Sequence, residues 1–368
     1  MNNEAGLRLG LIGIGKTGRT HLAALTAINN SGLLGFKITA ICDSDNLKAK
    51  KLAKEFGISK IYENHEDLVN DEHVDVVYVC TPTSKHREMV KAAARAKKAV
   101  YCEKPVAHSC PQVRELNSIA LDNAVKTSAG LNLRFDPFLL YAKKLIEKHD
   151  FGKPILAHIR DDQQFPLEKE DYTQWRGENS VPGGGIILEQ CVHDIDVLNW
   201  FFGDIVNVYA QVGFFSERGI EDQASLVMRH KDGTSSTVDA VWHLVERSEE
   251  RNFEFFFERG YIHVVLESGN KYLDYQLQGE DSVRIHSENV EDILLDHLGI
   301  SAKKIALGIR EPLKDLSINK QVALSYSFLK SVRSSETYSP NFQDAVEAHK
   351  IVDAAYESAN QGIPIDVL

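Results

Sequence analysis

The residues best able to do chemistry fall in separate stretches of the chain. Lys104 stands in Val100-Tyr101-Cys102-Glu103-Lys104-Pro105, at the end of a short apolar run. Open α/β sheets bind ligands at the carboxyl ends of their strands, and an ammonium there can stabilise a developing alkoxide. A solvated surface lysine is the plain alternative; Glu103 and Pro105 at a strand end favour a site role. Glu189 and His193 lie four residues apart, so on a helix they share a face, with Asp196 close by. An imidazole exchanges protons near neutral pH. The competing readings of His193 are a hydrogen-bonded core histidine and a metal ligand. No second ligand cluster is evident in the sequence, so no metal is expected.

A third stretch, Gly13-Ile14-Gly15-Lys16-Thr17-Gly18, follows an apolar strand and opens a helix. Gly13 suits a tight turn, Gly15 lets backbone approach a pyrophosphate, and Gly18 allows close helix–strand packing. The helix N-terminus then offers N–H groups to phosphate. Asp43, at the end of the next strand, suits the ribose hydroxyls of NAD and repels a 2′-phosphate. No arginine directly follows it. NAD is therefore favoured over NADP, and Asp45 is the better candidate for a loop cap.

The elements that must position these residues change character along the chain. Strands are expected at Leu7–Ile14, Phe36–Cys42, Lys60–Tyr62, Val74–Cys80 and Ala99–Cys102. Helices are expected at Thr20–Asn29, Leu47–Phe56, His65–Asn70 and Glu88–Ala96. This alternation predicts a doubly wound parallel sheet, with Val74–Cys80 as a central buried strand. After Ser128 come a helix at Pro137–Lys148, a strand at Ile155–Arg160, a polar stretch from Asp161 to Pro182 and a helix from about Gly185. From Ile205 to Gln278 alternating strands are joined by turns such as Lys231-Asp232-Gly233 and Ser268-Gly269-Asn270. Helices at Leu316–Ser334 and Phe342–Ala359 close the chain. The expected organisation is a dinucleotide-binding domain over residues 1–128 and an α+β domain over residues 129–368. The second domain is expected to carry a large, mostly antiparallel, open-faced sheet. An open face needs cover, and Phe214-Phe215 with Phe255-Phe256-Phe257 suggest a homo-oligomer, dimer or tetramer.

Val79-Cys80-Thr81-Pro82-Thr83-Ser84-Lys85-His86, the Glu-Lys-Pro triplet and Gly183-Gly184-Gly185 running on to Glu189, His193 and Asp196 narrow the reading. With the glycine loop, these motifs resemble the Gfo/Idh/MocA oxidoreductases over nearly the whole chain. The resemblance implies an α/β Rossmann domain, NAD as cofactor, and dehydrogenation of a secondary alcohol on a sugar or an inositol-like cyclic polyol. It implies a cis Lys104–Pro105 bond, His193 as acid/base and Lys104 as its electrostatic partner. Glu189 stands where family members more often carry an aspartate. Thr81, Pro82, His86, Glu103 and Lys104 are implied as cofactor neighbours, as is the pair Trp175-Arg176. Asn132 and Arg134 match a motif lining the substrate site. Tyr172 and Asp161-Asp162-Gln163-Gln164, in the polar stretch, could recognise substrate hydroxyls. Two rivals share the fold: an NAD-dependent glycosidase, and a cofactor-sensing regulator that would not need Glu103-Lys104-Pro105 or His193.

Bulk properties agree with this reading. The 368 residues are 43 % hydrophobic and 26 % charged, enough apolar content for a real core. A net charge of -11 disfavours nucleic acid and anionic membrane as partners. The cysteines, Cys42, Cys80, Cys102, Cys110 and Cys191, form no C-x-x-C pair and suit a reducing compartment. With neither a signal peptide nor a membrane span evident, a cytoplasmic protein is expected.

Overall fold

The structure is a computed structural model that describes residues 6–165, 184–216, 218–300, 316–334 and 336–367. It divides into two compact units. The first comprises Met1–Ala107, Pro111–Asn132 and Leu298–Ala345; the second comprises His108–Cys110, Leu133–His297 and Val346–Leu368. The sequence puts one boundary after residue 128, whereas the structure returns a late stretch of chain to the N-terminal unit. A helix in that stretch, Leu316–Val332, packs along the helix after the glycine loop, which explains the return.

In the first unit the strands are β1 (Leu7–Ile12), β2 (Phe36–Cys42), β3 (Lys60–Tyr62), β4 (Val76–Val79), β5 (Ala99–Cys102) and β6 (Thr127–Ala129). Among the described residues they form a six-stranded sheet in the order β3-β2-β1-β4-β5-β6, and every pairing is parallel. Every residue of β4 and β5 is buried, as uniformly apolar central strands require. The intervening helices are α1 (Lys16–Asn30), α2 (Asn46–Phe56), α3 (His65–Val69), α4 (Thr83–Arg95) and α5 (Cys110–Asp122). Helix α1 begins at Lys16 rather than Thr20, so its first turn lies inside the glycine motif. Asp45 caps α2, its Oδ1 accepting from the Lys48 N–H, as expected, and Gly57 ends that helix at φ +66°. Chain reversal places the motif ends at the carboxyl edge of β1, β2, β4 and β5, where such sheets bind ligands.

The second unit opens with a 3-10 turn (Asn132–Phe135, its first residue still in the first unit) and α6 (Pro137–Lys148), then β7 (Pro154–Gln164). Past the undescribed residues come a π turn (Ile187–Cys191) and α7 (Val192–Phe202). The strands are β8 (Ile205–Gly213), β9 (Gln223–His230), β10 (Ser235–His243), β11 (Glu250–Phe257), β12 (Gly260–Glu267), β13 (Asn270–Leu277) and β14 (Val283–His286). Helix α8 (Ser287–His297) follows; after the returning helix, α9 (Leu316–Val332), come α10 (Phe342–Gln361) and β15 (Ile365–Asp366). Among the described residues the sheet has nine strands in the order β14-β13-β12-β11-β7-β10-β9-β8-β15. Its described pairings are antiparallel except β7 with β10. Burial alternates along β9, β10 and β11, so one face is covered and the other open. Helix α7 packs on β7, and α6 on β12 and β13.

One expectation is corrected here. Asp161-Asp162-Gln163-Gln164 is the end of β7, not the start of a polar loop. Asp161 and Asp162 are buried, and cross-strand Arg251 and nearby Arg160 supply the counter-charge that makes burial tolerable. No described helix is long and apolar enough to cross a membrane.

Candidate active site

In the first unit, β1 delivers the chain to Gly13, whose N–H donates to Cys42 O at 2.8 Å and whose φ is +85°. A Cβ there would lie 2.8 Å from Thr81 N and 2.9 Å from the Cys80 carbonyl carbon. Backbone shape and the neighbouring end of β4 thus both demand glycine. A Cβ on Gly18 would sit 2.1 Å from Gly13 O, so only glycine lets the first turn of α1 press on the loop. Gly15 has the opposite surroundings, with nothing within 4 Å of its Cβ position. It caps α1, whose first turn carries no acidic residue, leaving the positive end of the helix open to an anion. Lys16 is exposed and Thr17 half-buried in that turn. Ile14 is buried, and its N–H donates to Asp43 Oδ2 at 2.8 Å, while Asp43 Oδ1 accepts from Asp45 N–H at 2.9 Å. Asp43 is thereby fixed beside the loop, and each oxygen keeps a lone pair for a ribose hydroxyl. This cradle fits the diphosphate and ribose of a dinucleotide.

The ends of β4 and β5 are braced against each other. Pro82 caps α4, and the buried His86 places Nε2 2.7 Å from Thr81 O and Nδ1 2.9 Å from Pro105 O. His86 therefore ties the two strand ends together through backbone carbonyls. The Lys104–Pro105 peptide is cis, as the resemblance implies. Glu103 folds back so that Oε2 accepts the Lys104 N–H at 3.2 Å, while Oε1 accepts from His21 Nε2 at 2.7 Å and Tyr101 OH at 2.9 Å. Burial alone would raise the Glu103 carboxyl. The hydrogen bond and charge of His21, the Tyr101 hydroxyl and the Lys104 ammonium outweigh it and hold the carboxyl at about 2. Asn132 donates to Gln321 Oε1 at 3.0 Å.

In the second unit Glu189 lies in the π turn and His193 in the first turn of α7, both buried. The start of this segment is held by Glu221, whose Oε1 accepts from Gly185 N–H at 2.9 Å and Ile187 N–H at 3.3 Å. Tyr356 OH donates to the same oxygen at 2.6 Å. A Cβ on Gly185 would lie 2.2 Å from Glu221 O, so this glycine is required for the approach. Asp196 receives a two-pronged bond from Arg134, Nη2 to Oδ1 at 2.6 Å and Nε to Oδ2 at 2.9 Å. Next in the chain to His193 is Asp194, whose Oδ1 lies 3.1 Å from Nε of Arg251 of β11, which also bonds its register partner Asp161 of β7. Gln163 and Gln190 also donate to Asp161, at 3.0 and 2.8 Å. Burial pushes the Asp194 carboxyl well up, against the lowering pull of Arg251.

The first unit thus gathers Gly13–Gly18, Asp43, Thr81, Pro82, Glu103 and Lys104 at strand ends, and the second holds Glu189 and His193 on one helical segment. Trp175, Arg176, Tyr172 and Gly183 lie outside the described residues. Motif reading missed His21, Gly130, Gln321, Arg251, Glu221 and Tyr356. His21 alone had a sequence signal, since it falls one helical step beyond Gly18 on α1.

Residues 7–131 match the oxidoreductase family with an NAD-binding Rossmann fold, and residues 139–263 match the GFO/IDH/MocA C-terminal domain. The chain is 31 % identical to the myo-inositol 2-dehydrogenase of Thermotoga maritima over 70 % of its own length and 74 % of that protein's. It is 30 % identical to an uncharacterised oxidoreductase of Bacillus subtilis, over 62 % of this chain and 65 % of that one, just under two thirds of the relative's length. A levoglucosan dehydrogenase solved in complex with NADH and levoglucosan superposes with a TM-score of 0.85 at 22 % identity, covering 99 % of this chain and 100 % of that one. That last likeness is one of fold.

Proposed function

The chain belongs to the Gfo/Idh/MocA oxidoreductase family, and from that membership we propose that it is an NAD-dependent dehydrogenase oxidising a secondary alcohol of a sugar or inositol-like polyol, or reducing the matching ketone. Relatives named for myo-inositol and levoglucosan support this substrate class. The observation that carries the reading is the cradle of the first unit. Gly15 leaves open approach to the α1 N-terminus, Asp43 is fixed beside it, and Lys104 is held at the end of β5.

Bound NAD supplies the hydride acceptor. Gly13–Gly18 and the α1 N-terminus hold its diphosphate, and Asp43 takes the ribose hydroxyls and disfavours NADP. Lys104 stabilises the alkoxide that develops on the substrate oxygen, and His193 takes the hydroxyl proton. Glu189 holds a substrate hydroxyl. Thr81 and Pro82 border the cofactor, and His86 supports them from behind. Asn132 and Arg134, which bond Gln321 and Asp196, shape the substrate side, as does Tyr172, while Trp175 and Arg176 border the cofactor.

The test is NADH absorbance with cyclitols, aldoses, anhydrosugars and sugar acids, and NADP in parallel. Turnover with NAD preferred is expected, falling more than about 100-fold in Lys104→Ala and in His193→Ala. Losses of tenfold or less in both variants would remove the mechanism. We propose further that the protein self-associates through the open face of the large sheet. There Phe256, Val227 and Leu156 are 38, 53 and 36 % exposed, whereas Phe255 and Phe257 are buried. Phe256→Glu with Val227→Glu should shift the light-scattering mass to the monomer; an unchanged mass would discard this interface.

A further inference from the structure

We propose that Gln321 and His21 are positioning residues for Lys104, acting through the Glu103 carboxylate. The inference rests on the reading that Lys104 touches substrate.

The argument begins with a cost. A carboxylate set among a strand core, a stacked pair of tyrosines and a buried histidine loses its hydration, and an apolar side chain would pack there more cheaply. Tyr78 and Tyr101 stack at 4.7 Å with an interplanar angle of 19°, and His21 meets Tyr101 edge-on at 4.7 Å. Glu103 is nevertheless kept, with its two oxygens divided between tasks. One faces inward to His21 and Tyr101, and to Gln321, whose Nε2 lies 2.7 Å from His21 Nε2 and 3.3 Å from this oxygen. The other turns outward to the N–H of Lys104. The inner oxygen is thus the anchor, and the outer one fixes where the backbone of Lys104 begins.

Gly130 shows how close this clamp is. A Cβ there would lie 2.8 Å from Lys104 N and 2.9 Å from Glu103 Oε2, so the neighbouring strand end is trimmed to let the turn sit against it. The anchor residues come from distant chain segments. His21 rides on α1, the helix that the glycine loop opens, so the element facing the phosphates also holds Glu103. Gln321 comes from α9 and is itself held by Asn132, the last residue before the chain leaves the first unit. A group that only filled space would need no such convergence of donors on one oxygen.

The titratable groups facing Glu103 are His21 from α1, Cys80 after β4, Tyr101 and Cys102 on β5, and Lys104. The perturbation is Gln321→Glu, with Gln321→Ala and Lys104→Ala beside it. Protonated, the new carboxyl donates to Glu103 much as the amide did; ionised, it repels Glu103 and releases the Lys104 turn. Gln321→Glu should therefore keep near-native kcat at the acid end and lose about 10- to 100-fold as pH rises, the size expected of a displacement of roughly 1 Å. Gln321→Ala should lose a similar factor at every pH. Binary NAD affinity, read by fluorescence, should stay within about twofold in both, since the loop that binds it is untouched. In the cofactor-free protein, 13C NMR should show Glu103 titrating at higher pH in Gln321→Ala than in the native chain.

Native kcat in both Gln321 variants across the pH range would overturn the proposal, as would losses matched by equal losses of NAD affinity or thermal stability. Should Gln321→Ala not fold, the pH dependence of Gln321→Glu decides alone. Unchanged turnover in Lys104→Ala would instead overturn the underlying role of Lys104. The NMR shift would then still report whether Gln321 holds Glu103.

Discussion

Arg251→Met should unfold the second unit more than almost any other single change of similar volume. The guanidinium is buried between Asp161 and Asp194, and methionine keeps the apolar stem without the charged head. Removing it leaves two buried carboxyl groups facing each other, with Gln163 and Gln190 still donating to Asp161. Stripping one partner from a buried charge cluster costs about 3–5 kcal/mol. At roughly 2–4 °C per kcal/mol for a unit of this size, the melting transition should fall by about 6–20 °C. The loss should depend on pH. Asp194 holds its proton more tightly when folded than when unfolded, so its contribution is most favourable in acid and fades as pH rises through the folded value. Arg251 opposes that rise, and without it the fading steepens. Calorimetry between pH 5 and 8 should therefore show the largest deficit at the alkaline end. Asp194→Asn, which mimics a neutral acid, should cost less than about 1 kcal/mol at neutral pH. A melting point within about 1 °C of native for Arg251→Met at the alkaline end of that range, or a deficit that grows towards acid, would refute this account of the cluster.

Other outcomes follow from the glycines and carboxylates of the first unit. Gly15→Ala should keep the native melting point, because nothing lies within 4 Å of the added methyl, yet weaken NAD binding at least about tenfold by calorimetric titration. Gly130→Ala should do the reverse: about 1–3 kcal/mol of stability lost to overpacking, and kcat reduced through the Lys104 turn, with NAD affinity retained. Asp43→Ser should narrow the preference for NAD over NADP by about tenfold in kcat/KM. Glu103, held at about 2, adds stability above the ordinary carboxylate value of roughly 4.3 and loses it as pH falls through 2. Glu103→Gln should flatten the decline of urea midpoints in that window.

The first unit was legible because its signals are local. Alternating strands and helices, a glycine turn and an acid at the next strand end all reside within a few residues of what they do. The second unit's strands could be read from their alternation, but β7 could not be followed to its end. Asp161 looks like a loop residue until Arg251, 90 residues later, is seen opposite it, and Asp162 until Arg160 and Arg247 are seen beside it. Glu189 and His193 announced a shared face, whereas Glu221 and Tyr356, which hold that segment, sit on distant elements and carry no motif. Gln321 and Gly130 were invisible for the same reason: their importance is a distance to Glu103, and one sequence does not contain that distance.

Synthesis order gives the Glu103 clamp a temporal side. The residues of the parallel sheet and of the glycine loop have all been made by Ala129, about a third of the way along the chain. Gln321 lies 218 residues beyond Glu103. At roughly 5–20 residues per second, a ribosome needs about 10–40 s more after residue 132 to deliver it. The loop proposed to cradle a nucleotide is therefore made well before the last donor to the Glu103 carboxylate. Helix α9 thus brings, late in synthesis, the donor on which the proposed clamp depends.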